Sequence, residues 1–99
     1  MKIIVAGAGE IGSHLAKMLS MEYHDITVIS PNEERLERIS GESDIITVEG
    51  ISSSIDTLVK AGVRNADLFI AVNPDSEQDI NIVSSVLAKK LGAKKVTAR

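Results

Sequence analysis

The stretch Met1–Gly12, MKIIVAGAGEIG, decides the fold of this chain. Ile3, Ile4, Val5 and Ala6 form an unbroken apolar run of strand length, rich in β-branched residues. Such a run suits a strand buried on both faces, as in a parallel sheet. It passes directly into Gly7-Ala8-Gly9-Glu10-Ile11-Gly12, a G-x-G-x-x-G pattern followed by helical spacing. In that setting Gly7 permits the tight turn out of the strand, Gly9 lets a pyrophosphate approach the backbone, and Gly12 lets the new helix lie close to the sheet. The free amides and positive end of that helix then face the anion. Strand, glycine turn and helix together point to dinucleotide binding. A glycine-rich turn that binds nothing is the alternative.

Outward from that stretch, Ile11, Leu15, Met18 and Leu19 recur at helical spacing with Ala16 on a neighbouring row. They predict a helix over about Glu10–Ser20 that turns this stripe to the sheet and leaves His14 and Lys17 at its edge. His24 falls in the following loop with no evident partner. Asp25–Ile29 is the second strand. Ser30-Pro31-Asn32-Glu33 reads as a helix start, with Ser30 and Glu33 as a capping box and Pro31 at the first helical position. Leu36 and Ile39 give that helix its buried side, and Gly41 ends it. The third strand is Asp44–Val48, closed by Glu49 and Gly50. Ser52, Ser53 and Ser54 offer caps for a helix carrying Ile55, Leu58 and Val59, which Ala61 and Gly62 terminate.

Asp67–Val72 is the fourth strand and Asn73–Ser76 a loop. A long helix follows from about Glu77 to Leu91, with Ile80, Val83, Leu87 and Leu91 inward. Lys89 and Lys90 in its last turn complement the helix dipole better than they form a binding patch. Gly92 caps it, and Lys94–Ala98 is a fifth strand. Alternating strands and helices with short loops call for right-handed crossovers, so the fold is α/β: a Rossmann-like, doubly wound parallel sheet with helices on both faces and strand order 3-2-1-4-5. The ligand crevice then lies beyond the carboxyl ends of strands 1 and 4. The glycine loop, Ser30–Asn32, Gly50–Ser52 and Asn73–Asp75 all reach that edge.

Composition narrows the class of function. Ninety-nine residues make one small domain over residues 1–99, too short for a binding domain plus a catalytic one. Tyr23 and Phe69 are the only aromatic residues, so platforms for stacking single-stranded nucleic acid are missing. Eleven basic against fourteen acidic residues give a net charge of −3, which provides no field toward DNA. Without cysteine there is no disulfide, thiolate metal site or Cys nucleophile. No apolar run reaches transmembrane length, so direct membrane insertion is not expected. Ending on the uncapped strand Val96-Thr97-Ala98-Arg99, the sequence is expected to be a domain of a longer chain.

MKIIVAGAGEIGSHLA, DITVI, the helix with Glu34 and Arg35, LVKAGVRNADLFIAV, and Asn81-Ile82 leading to LAKKLGAKKVTAR resemble one family along the whole chain. It is the N-terminal nucleotide-binding domain of Trk-type potassium-uptake regulators, the RCK or KTN domain. The LxxAGxxxAD segment over Leu58–Asp67 is part of that resemblance and is not typical of dehydrogenase domains. The resemblance implies a cytoplasmic protein that docks on a membrane potassium transporter at the inner face of the cell membrane. It also implies assembly with copies of itself and a response to a bound nucleotide. NAD(H) is the foremost candidate, with NADP(H), ADP and ATP as alternatives.

Carried over by residue, Gly7, Ala8, Gly9, Glu10, Ile11 and Gly12 match the pyrophosphate loop. Gly50, followed by Ile51, matches the end of strand 3 on the adenine side. Val72 and Asn73 match the end of strand 4, where the family more often has Thr in place of Asn73. The ribose end falls on Ser30, Pro31, Asn32 and Arg35. Ser30 departs from the family's Asp or Glu, which can accept hydrogen bonds from both ribose hydroxyls. It offers one short oxygen and no charge, and so removes a repulsion against a 2′-phosphate. Arg35 either reaches such a phosphate or, as the favoured expectation, pairs with a neighbouring glutamate. In some family members that prefer ATP or ADP an arginine follows the second glycine; here Glu10 stands there and would repel a terminal phosphate. The expected function is a nucleotide-sensing regulatory domain and not an enzyme. The alternatives are the cofactor domain of an NAD(P)-dependent oxidoreductase and a pure assembly module.

Overall fold

The computed structural model describes residues 1–41 and 44–98. Five strands form one parallel sheet: β1 (Lys2–Ala6), β2 (Asp25–Ser30), β3 (Ile45–Glu49), β4 (Leu68–Ala71) and β5 (Lys95–Ala98). Their order is β3-β2-β1-β4-β5, as alternation of strand and helix requires. The expected fifth strand therefore starts one residue later, and Arg99 lies outside the described residues. β1 is central, pairing Ile3 with Ile26 on one side and with Leu68 on the other. Its residues Ile3 to Ala6 have no solvent exposure, which explains why the sequence there is continuous rather than alternating.

Among the described residues four α-helices cover the sheet: α1 (Glu10–Ser20), α2 (Glu33–Ser40), α3 (Ile55–Lys60) and α4 (Gln78–Leu91). Ile3, Val5, Ile26 and Val28 pack with Ala16 of α1 and with Leu36 and Ile39 of α2. On the other face Ile4, Ala6, Phe69 and Ala71 pack with Leu58 of α3 and Ala88 of α4. Each fully buried Ile, Val, Leu or Phe contributes roughly 1.5–3 kcal/mol. Most of these large side chains belong to the strands, so the sheet carries the core and the helices close over it with smaller residues.

That division corrects several expectations. On α1 the inward residues are Gly12 and Ala16, with Leu15 and Leu19 partly buried, whereas Ile11 and Met18 are exposed. On α3 only Leu58 is buried; Ile55 and Val59 face outward. On α4 the inward positions are Asn81, Ser84, Ser85 and Ala88, Leu87 and Leu91 pack at the margin, Ile80 is half-buried, and Val83 is exposed with Ile82 and Val86. A helix that must approach a sheet closely presents small residues to it, so its larger apolar residues fall on other rows.

The start of α2 also differs. β2 runs on to Ser30, which pairs with Glu49, so Ser30 is a strand residue rather than a cap, and Pro31 precedes the helix. Asn32 caps α2 instead, its Oδ1 accepting the Arg35 amide at 3.1 Å. β3 begins at Ile45 rather than Asp44 and includes Glu49, and β4 is shorter than expected at both ends. His24 does have partners: the N-terminal amine lies 3.2 Å from its Nδ1, and Glu22 lies 3.8 Å from its Nε2.

Away from the strands' carboxyl ends, the LxxAGxxxAD segment closes the sheet's opposite end. Leu58, Ala61 and Ala66 enter the core. Asp67 accepts the Lys2 amide at 2.8 Å and pairs with Lys94 at 3.2 Å. These interactions, the amide first and the ammonium second, hold the Asp67 carboxyl below its ordinary pKa. No helix of the described residues is long and apolar enough to cross a membrane.

Candidate functional site

The site is built from the turn after β1. The Gly7 amide bonds to the Ile29 carbonyl at 2.9 Å as the chain leaves the sheet, and Gly7 sits at φ +128°. A side chain there would be strained and would meet the Val72–Asn73 backbone at 2.8–2.9 Å. At Gly12 a Cβ would lie 1.9 Å from the Gly7 carbonyl oxygen. The first turn of α1 is therefore pressed onto the end of β1. Gly9 differs: a Cβ there would meet only Arg35 Nη1, at 3.9 Å. Its backbone faces a crevice, and as the N-cap of α1 it supplies no side chain to the amides of the first turn. Ser13 Oγ donates to the Ala8 carbonyl at 3.1 Å and steadies this turn.

Three adjoining cavities make up the crevice. One, of about 250 Å³, is lined by Ala8, Ser30, Pro31, Asn32, Arg35, Asn73, Pro74 and Glu77. A second, of about 230 Å³, touches Gly9, Glu10, Ile11, Arg35, Val72 and Pro74. A third, of about 260 Å³, lies between α1 and α2 against Gly9, Ser13, Arg35 and Arg38, with Ala8 and Glu10. Arg35 borders all three. Among the described residues neither Arg35 nor Arg38 forms an ion pair, so the expected Arg35–glutamate bridge is not found. Arg35 leaves the third residue of α2 and extends toward Gly9 instead.

Of the residues expected at the site, Ala8, Gly9, Glu10, Ile11, Ser30, Pro31, Asn32, Arg35, Val72 and Asn73 border these cavities. Gly7 and Gly12 shape the turn behind them. Gly50 and Ile51 border none of the three; the Gly50 amide bonds to the Ser30 carbonyl at 3.0 Å, and Ile51 is exposed beside it. Ser30 is buried, and its Oγ accepts the Asn32 amide at 3.1 Å. A wider groove of about 650 Å³ runs along α1 past His14 and Lys17 and shares Glu10, Ile11 and Ser13 with the crevice.

Behind the crevice lies a polar seam that sequence spacing did not reveal. Asn81 Oδ1 accepts both the Asn73 amide (2.9 Å) and Asn73 Nδ2 (3.0 Å), and Asn81 Nδ2 donates to the Asn73 carbonyl (3.1 Å). Asn73 Nδ2 also reaches Ser52 Oγ at 3.2 Å, which in turn lies 2.8 Å from Ser84 Oγ. All four residues are buried. The Asn73 side chain is thus turned to α4, which leaves it a wall of the crevice rather than a reaching group. Ser13 and Arg38 were missed as well. Their signals were present in the spacing: Ser13 follows the third glycine, and Arg38 lies one turn beyond Arg35.

In chemical terms the crevice offers free amides, two guanidinium groups, the carboxylates of Glu10 and Glu77, and short polar side chains. Among the described residues no three of His, Cys, Asp or Glu come together to hold a metal ion, and His14 stands outside the crevice.

A family model described as the TrkA-N domain matches residues 3–99. Over all 99 residues the chain is 42% identical to a Trk system potassium uptake protein TrkA homolog from Archaeoglobus fulgidus, of which it spans 22%. Among solved structures, the Kef CTD of Shewanella denitrificans in its AMP-bound form superposes with a TM-score of 0.82 at 21% identity, covering all of this chain and 58% of that one. An anaerobillin reductase from Escherichia coli O157:H7 gives a TM-score of 0.77 at 12% identity over 99% of this chain and 50% of its own. At such identities these two likenesses concern the fold alone.

Proposed function

The chain belongs to the TrkA-N domain family, and from that premise we propose that it is the nucleotide-sensing regulatory domain of a potassium-uptake system, with no chemistry of its own. Residues 1–99 form the nucleotide-binding unit. The ligand is an adenine nucleotide, drawn from NAD(H), NADP(H), ADP and ATP. One observation carries this reading: α1 is pressed onto β1 at Gly12 while Gly9 faces the crevice and leaves the first-turn amides without a side-chain cap. That arrangement is suited to a pyrophosphate. The adenosine ribose would lie along Ser30, Pro31 and Asn32, with the adenine toward Gly50, Ile51, Val72 and Asn73. The AMP-bound form of the Kef CTD supports an adenine nucleotide as the ligand class.

The domain works in the cytoplasm, docked on a membrane potassium transporter and assembled with copies of itself. Exposed Ile82, Val83 and Val86 on α4 support the last point, since the sheet of one copy does not cover them. The oxidoreductase alternative draws on fold likeness, and one fold hosts both classes. Titration calorimetry of the chain with NADH, NAD, NADPH, ADP and ATP tests the nucleotide reading. Binding is expected in the wild type and absent from Gly9→Val, whose circular dichroism stays native. Wild-type affinity in a folded Gly9→Val would place the ligand elsewhere.

A further inference from the structure

We propose that Arg35 and Arg38, set against Gly9 and Ser13, form a subsite for a phosphate monoester on the adenosine ribose. The chain accordingly takes a 2′-phosphorylated dinucleotide, NADP(H), ahead of NAD(H). Resting on the nucleotide reading above, this subsite selects among the ligands that reading allows.

The ribose of a dinucleotide on this fold lies at the end of β2, where a carboxylate accepts both hydroxyls of NAD(H) or a nearby arginine meets the 2′-phosphate of NADP(H). Ser30 occupies that position. It is buried, has a single oxygen, and already accepts the Asn32 amide through it. A vicinal diol is therefore poorly served, and a 2′-phosphate meets no fixed negative charge at this residue.

The guanidinium groups stand beside that position. Arg35 and Arg38 are three residues apart on α2 and share a side of the helix. Together with Ala8, Gly9, Glu10 and Ser13 they line the cavity of about 260 Å³. It adjoins the ribose cavity through Ala8 and Arg35. Neither arginine forms an ion pair among the described residues, so their donors remain for an anion. A planar fork of N–H groups matches phosphate oxygens, and two such forks suit a doubly charged monoester.

Glu10 lines the same cavity and opposes any phosphate. It offsets one guanidinium, so Arg38 keeps this cavity net positive, while Glu77 lines the adjoining ribose cavity with Arg35. The two arginines divide the work. Arg35, with Nη1 near the outward face of Gly9, meets the pyrophosphate common to every candidate. Arg38, which borders only the cavity between α1 and α2 among the three, reads the extra phosphate.

Affinities for NADH, NADPH, ATP, 5′-AMP and adenosine 2′,5′-bisphosphate, measured at one low ionic strength, test the assignment. NADPH is expected to bind about tenfold more tightly than NADH, and the bisphosphate to exceed 5′-AMP by a similar factor. Arg38→Ala is expected to erase both advantages while NADH affinity stays within about twofold. Arg35→Ala weakens both dinucleotides. Ser30→Asp shifts the ratio toward NADH. Both arginines are exposed, so their removal leaves the core intact, which circular dichroism checks. Equal wild-type affinities, an Arg38→Ala that weakens NADH and NADPH alike, or an Arg38 effect confined to ATP would each overturn the subsite. Binding of NADH without preference would leave the nucleotide reading standing and this one refuted. No binding of any nucleotide would refute both.

Discussion

A methyl group added at Gly12 would lie 1.9 Å from a backbone oxygen, whereas one added at Gly9 would meet a single guanidinium nitrogen at 3.9 Å. The two residues look alike in the sequence and differ in what surrounds them. In a free helix, glycine to alanine is worth about 1 kcal/mol of stabilisation. At Gly12 the sign reverses, because α1 must be pushed off β1. Gly12→Ala is expected to destabilise the domain by about 3 kcal/mol, toward the upper end of overpacking effects, as read from urea unfolding. Gain of stability would show that the helix seats elsewhere. Ser30 shows the limit of reading residues one at a time. Its spacing from Glu33 predicts a capping box, but the pairing of β2 with β3 claims Ser30 for the sheet, and Asn32 takes over the cap.

Element by element, the inner face of α4 is the least expected result. Periodicity marks Ile80, Val83 and Leu87 as core, yet the fully buried positions are Asn81, Ser84 and Ala88. Replacing Asn81 by leucine adds apolar surface and helix propensity, and on those grounds should stabilise. It also removes the acceptor of the Asn73 amide and the donor to the Asn73 carbonyl, leaving both buried and unpaired. An unsatisfied buried group costs about 1–3 kcal/mol, so Asn81→Leu is expected to lose roughly 3 kcal/mol or more. Ser85→Ala, which removes one bond within the helix to the Asn81 carbonyl, should change little. Thermal unfolding of the pair decides, and a stable Asn81→Leu would reduce the seam to ornament. The strands were legible because burial on both faces leaves one kind of residue, as in Ile3–Ala6. So were the bounds of α1, set by glycines on one side and a loop on the other. Helix faces were not, because α4 carries apolar residues on more than one row, and spacing does not say which row meets this sheet. The glycine turn was readable from its pattern. Ser13 and Arg38 were marked only by their spacing from Gly12 and Arg35, and their place in the crevice, like the bonding of Ser52, depends on how neighbouring elements meet.

Across the whole molecule, the crevice and the Asp67 cluster stand at opposite ends of the sheet. Asp67 joins the first residue of β1 to Lys94 just before β5, and so ties the starts of three strands. Its carboxyl is held below its ordinary pKa, first by the Lys2 amide and then by Lys94. The sign follows from linkage: the stabilisation is complete above the unfolded-state pKa and is lost as pH falls through the lower folded-state value. The wild type should therefore lose stability below about pH 4, and Asp67→Asn should be less stable at neutral pH with a flatter profile in that acid window. Melting temperatures between pH 7 and 2 check this; parallel profiles would mean that the cluster contributes nothing. At the other end, the Asn73–Asn81–Ser52–Ser84 seam has a mechanical consequence. Apolar attraction is non-directional, so it does not by itself fix the relative position of two surfaces. A set of directed hydrogen bonds has one register, and a displacement of a single ångström breaks several at once. Helix α4, the end of β4 and the loop before α3 are thereby latched together like a key in a lock. A force on the crevice wall at Asn73 is therefore borne by α4 directly, because the two share these bonds.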